Sequence, residues 1–85
     1  MINKKKGGFN VDYRTRIRNV REDKDYNQQQ IGQLLNKSQQ GYGHIEKGTT
    51  ELKIDDLIIL CKFYNLSADY LIGLIDTPIS YKDRT

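Results

Sequence analysis

The chain has 85 residues, of which 36% are hydrophobic and 29% charged, with a formal net charge of +3 and a single cysteine. That length suits one compact unit with a modest core and argues against a second domain. Cys61 alone excludes an internal disulfide and a cysteine-pair zinc site, and no apolar run approaches the roughly 20 residues that span a bilayer, so a cytoplasmic protein without membrane contact is expected.

The start, MINKKKGGFN, lacks the apolar centre of a signal peptide and reads as a flexible basic arm over residues 1–11, with little to bury around Gly7 and Gly8. Charge is lopsided. Lys4, Lys5, Lys6, Arg14, Arg16, Arg18, Arg21 and Lys24 precede Asp25 against Asp12, Glu22 and Asp23, and the rest of the chain is slightly acidic. A basic end suits a polyanion partner, although a solvated face is the plainer account of the same charges.

Order is expected from Asp12. Tyr13, Ile17 and Val20 recur at helical spacing, with Arg14, Arg18 and Arg21 on another side, giving an amphipathic first helix that ends near Lys24. Asn27 and Gln30 form a capping-box pattern at the start of a second helix, with Tyr26 and Ile31 placed as a hydrophobic staple and Ile31, Leu34 and Leu35 as its buried stripe. Ser38 then caps a third helix over Gln39–Lys47, and Gly48 stops it. Ile54, Leu57, Ile58, Cys61 and Tyr64 mark a fourth helix with Asp55 and Asp56 in its first turn and Asn65 at its end. Ser67 caps a fifth, holding Tyr70, Leu71 and Leu74, and Pro78 keeps it from running far into the tail at 77–85. No strand pattern competes.

The third helix has two sides. Tyr42 and Ile45 point one way, while Gln40, His44 and Lys47 point the other, and Gln39 projects from the first helical position. Gly41 and Gly43 are unexpected within it, since each costs about 0.5–1 kcal/mol relative to Ala in a helix interior.

The segments RIRNVRED, NQQQIGQLLNKSQQGYGHIEKG and LIILCKFYNLSADYLIGL together resemble the Cro and phage-repressor type of helix-turn-helix over residues 14–74. The resemblance implies an all-α, five-helix lambda-repressor-like domain over 12–76, in which residues 28–47 form the two-helix motif and the third helix enters the major groove of double-stranded DNA. Base contacts then fall to Gln39, Gln40 and His44, because glutamine can pair in bidentate fashion with adenine and imidazole can donate to guanine. Phosphate contacts fall to Gln28, Ser38, Lys47, Thr49 and Thr50. The family pairs the acid at Glu46 with a basic residue of the first helix, so an ion pair with Arg21 is expected. Where relatives carry basic residues after the third helix this chain reads TTELKIDD, and Glu51 offsets Lys53, which implies modest, salt-sensitive binding.

An enzyme is not expected: one His and one Cys make no nucleophile–base–acid set, GYGHIEKG fails the spacing of a glycine-rich nucleotide loop, and no cofactor or metal is called for. Cys61 is expected to be an inert core thiol. Ile59 and Phe63, with Ile72, Ile75 and Ile79, are expected to leave apolar surface exposed, used for a two-fold homodimer on a palindromic operator or, alternatively, for a protein partner such as a toxin bound by an antitoxin. Lys4–Lys6 could serve as a DNA-reaching arm or as a solubilising tail.

Overall fold

The computed structural model describes residues 12–83, so the arm at 1–11 and its Lys4–Lys6 run lie outside the described residues. Five helices follow in order: α1 (Tyr13–Asp23), α2 (Gln28–Leu34), α3 (Gln39–Lys47), α4 (Ile54–Tyr64) and α5 (Ala68–Leu71). No strand occurs among the described residues.

Side-chain caps set most of the boundaries by occupying backbone N–H groups that a helix start leaves unpaired. Asp12 Oδ1 accepts from the Arg14 amide at 2.8 Å and begins α1. Asn27 and Gln30 exchange hydrogen bonds of 2.8 Å in both directions, completing the capping box of α2. Ser38 Oγ accepts from the Gly41 amide at 3.0 Å to open α3, and Ser67 Oγ does the same for α5 from Tyr70 at 3.2 Å. Gly48 closes α3 in the left-handed region at φ 91°, where its amide reaches the His44 and Ile45 carbonyls. Asn65 closes α4 in the same region at φ 57°.

The core joins Ile17 and Val20 of α1, Ile31 and Leu35 around α2, Tyr42 and Ile45 of α3, Leu60, Cys61 and Tyr64 of α4, and Leu71 of α5. Ile17, Ile31, Tyr42, Leu60 and Leu71 are fully buried, each burial of this kind contributing about 1.5–3 kcal/mol against chain entropy. α2 packs chiefly on α3, and α1 lies against α3 and α5, so the helix-turn-helix pair rests on α1.

Gly32 permits the short turn between α2 and α3. A Cβ there would stand 3.0 Å from the carbonyl oxygens of both Lys37 and Ser38, and the Lys37 amide donates to the Gly32 carbonyl at 2.7 Å. The chain folds back over a bare backbone position. A lone glycine in a helical pattern carries no signal of what crosses it, so the role of Gly32 is visible only in three dimensions.

Two expectations about the C-terminal half are corrected. Ile54 and Ile58 are not on the buried face of α4: they are 68% and 46% exposed, and the inward side is Asp56, Leu60, Cys61 and Tyr64. The helix is apolar nearly all round, so periodicity cannot fix its rotation. Leu60 and an inward Asp56, whose Oδ2 lies 3.3 Å from Lys37 Nζ, fix it instead. Leu74 likewise lies outside α5 and is 64% exposed, because the chain turns at Gly73 (φ 88°) and the Leu74 amide is drawn back to the Asp69 carbonyl.

Residues 75–83 fold back onto the domain. Buried Arg16 donates through Nη1 to the Tyr70 and Ile75 carbonyls and through Nη2 to Asp76 Oδ1 at 2.9 Å, with its guanidinium 4.1 Å from the Tyr70 ring centre. The Ser67 amide donates to the Ile79 carbonyl at 2.8 Å, Ser80 Oγ donates to Asn65 Oδ1, and Tyr81 packs on the core edge.

Candidate nucleic-acid interface

The two sides of α3 are separated as a short amphipathic rod requires. Tyr42 and Ile45 are buried at 0% and 1% exposure, whereas Gln39, Gln40, His44 and Lys47 are exposed. With Gln28 and Gly43 these four line one groove of about 370 Å³. Gln28, at the start of α2, is thereby brought beside α3, so that both helices of the motif contribute to one polar surface.

Ser38, Thr49 and Thr50 are exposed at the two ends of α3. The Ser38 hydroxyl oxygen is engaged as the helix cap, which leaves its proton available for donation. At the other end the His44 carbonyl accepts from the Gly48, Thr49 and Thr50 amides at 3.0, 3.0 and 3.2 Å. Thr49 Oγ1 lies 3.0 Å from His44 Nδ1, which ties the imidazole to the loop and leaves Nε2 as the outward nitrogen.

Behind this surface is a buried polar pair. Arg21 Nε donates to Glu46 Oε2 at 2.8 Å and Arg21 Nη2 to Glu46 Oε1 at 3.0 Å, with the Glu46 side chain 3% exposed. The remaining Arg21 nitrogen, Nη1, donates to the Tyr26 carbonyl at 3.0 Å. Burial opposes the charge on Glu46, but the hydrogen bonds from Arg21 and Gln28 hold its carboxyl below the ordinary value. Glu46 in turn raises Arg21, and burial drives the Tyr42 and Tyr64 phenols well above theirs.

Gln28 Nε2 donates to Glu46 Oε1 at 3.1 Å, so this side chain spans from the groove to the buried pair. Its path crosses Gly43, where a Cβ would sit 3.2 Å from Gln28 Oε1. Gly43 thus makes room for Gln28, a purpose that helix propensity alone cannot reveal. Gly41 meets only the capping Ser38 hydroxyl, at 3.2 Å.

Of the apolar surface residues, Ile59 and Phe63 are 37% and 41% exposed, and Phe63 leans on the Tyr26 and Tyr64 rings at 5.1 and 5.4 Å. Ile72, Ile75 and Ile79 are half-buried. Cys61 is buried.

A two-helix motif with a Ser-capped second helix, a polar outer face and a buried arginine–glutamate pair beneath it defines a helix-turn-helix domain. The chain belongs to the helix-turn-helix family of the Cro and phage-repressor type, whose family description matches residues 17–71. It is 30% identical over 66 residues to YobD of Bacillus subtilis (strain 168), described as an uncharacterized HTH-type transcriptional regulator. That alignment covers 78% of this chain and 59% of the relative. No solved structure matches the chain. Among the described residues no helix is long and apolar enough to cross a membrane.

Proposed function

We propose that the chain is a cytoplasmic, sequence-specific transcriptional regulator, acting as a repressor, that places α3 in the major groove of double-stranded DNA. The observation that carries this reading is the outward array of Gln39, Gln40 and His44 on a helix whose opposite side, Tyr42 and Ile45, is locked into the core. A helix entering the major groove brings its N-terminal side chains to base edges, where glutamine matches the adenine N6 and N7 pair. Gln28, Ser38, Lys47, Thr49 and Thr50 fix the register through phosphates. The family membership supports DNA as the partner, and the printed description of YobD supports regulation.

A homodimer on a palindromic operator would present two such helices about 34 Å apart. Exposed Ile59 and Phe63 favour α4 as its contact. The same patch supports the second reading, a protein-binding antitoxin or adaptor. Sedimentation of the chain with and without a duplex recovered from a random library distinguishes them. The regulator forms a two-chain complex on DNA, while an adaptor sediments unchanged when duplex is added.

A further inference from the structure

The loop after α3 carries Glu51 against Lys53 and so brings no net positive charge to the end of the recognition helix. A cation nevertheless stands there. Arg14, from the first turn of α1, lays its side chain on Gly48: a Cβ at Gly48 would lie 2.7 Å from Arg14 Nε and 2.8 Å from Cδ. Only a glycine leaves that platform flat, and Gly48 immediately precedes Thr49 and Thr50.

The guanidinium is held from two further sides. Its carbon lies 4.5 Å from the Tyr13 ring centre, and Nη1 donates to both Asp12 oxygens at 3.3 and 3.2 Å. Nε is shielded and has no acceptor among the described residues, and Nη2 has no partner among them either. A fixed guanidinium with donor capacity to spare suits a phosphate, whose oxygens match the arginine fork and carry the opposite charge.

We propose that Arg14 is a DNA phosphate contact, supplied from α1 to the end of the recognition helix in place of the net positive charge that the following loop lacks. The assignment rests on the DNA-binding reading above. Asp12, the α1 cap, orients the guanidinium before DNA arrives and leaves the Nη2 edge open.

The test is a titration of a labelled mixed-sequence duplex with the full chain over a range of salt concentrations. Removing one phosphate contact makes the slope of log K against log salt shallower by about 0.9, equivalent to a loss of about 3- to 10-fold in affinity at moderate salt. Arg14→Gln is expected to show that change, Arg14→Lys to keep the wild-type slope, and Lys62→Gln, on exposed α4 surface, to leave it unaltered. In the wild-type chain the Arg14 Nε resonance is expected to shift on adding duplex, a readout that does not depend on any variant folding. An unchanged slope in Arg14→Gln, an equal loss in Lys62→Gln, or an unmoved Nε resonance overturns the assignment while leaving DNA binding intact. If the wild-type chain binds no duplex at low salt, the DNA-binding reading fails first and Arg14 with it.

Discussion

Arg21 and Glu46, 25 residues apart in sequence, meet through paired hydrogen bonds of 2.8 and 3.0 Å in the interior, and so tie α1 to α3. Removing one partner strands the other charge in a buried site, at a cost of about 3–5 kcal/mol. Glu46→Ala is therefore expected to shift the urea midpoint sharply downward. The double substitution Arg21→Met with Glu46→Leu is expected to recover much of that loss, since apolar groups of similar volume need no compensating charge.

The same pair sets an acid limit. The folded-state pKa of Glu46 lies below its ordinary value of 4.5, so the stability it contributes is complete above 4.5 and drains away as pH falls through the folded-state value. Urea midpoints followed from neutral into acid solution should fall more steeply for the wild type than for Glu46→Gln, which has no carboxyl to protonate. Parallel curves would show that other carboxylates govern acid unfolding.

An alkaline limit follows from the tyrosines. Tyr42 and Tyr64 are buried with phenols raised from the ordinary 10.0, so the folded state is fully stable below 10.0 and loses stability as the pH rises beyond it. Of the six tyrosines, these two should ionise only with unfolding in an ultraviolet titration, and Tyr64→Phe should lessen the alkaline loss. Smooth early ionisation of all six would contradict their burial.

Two glycines should respond in opposite directions. Gly32→Ala pushes a methyl against the backbone carbonyls of Lys37 and Ser38 at 3.0 Å, which cannot yield without opening the turn, and is expected to destabilise by about 1–3 kcal/mol. Gly43→Ala meets only the Gln28 side-chain amide at 3.2 Å, which can give by a few tenths of an ångström while it stays near Glu46. The helix-propensity gain of about 1 kcal/mol outweighs a slight shift of that amide, so the melting temperature is expected to rise, and to rise further in a Gln28→Ala background.

The N-terminal half of the fold is legible in sequence because its boundaries are written in side chains. The Asn27–Gln30 box, Ser38 and Gly48 each announce a helix end through a specific hydrogen bond or a positive φ. α4 is less legible, since Ile54, Ile58, Ile59 and Phe63 crowd the same few turns as Leu60 and Tyr64, and only tertiary contacts decide which sector turns inward. In the interface, the outward set of α3 follows from helical period alone. The reach of Gln28 over Gly43 and of Arg14 onto Gly48 does not, because both join residues from different helices through space opened by a missing Cβ.

Whether the outer face of α3 reads base edges is decided by selecting bound sequences from random duplexes. The wild-type chain should return a defined, palindromic motif, and Gln39→Ala or Gln40→Ala should blur it at one or two positions per half-site, with about 1–3 kcal/mol of discrimination lost there. Thr50→Ala, whose hydroxyl does not touch the His44 ring, should weaken binding to all sequences alike while leaving the motif unchanged. No motif from the wild type, or an unchanged motif from both glutamine variants, would show that this face of α3 does not read base edges.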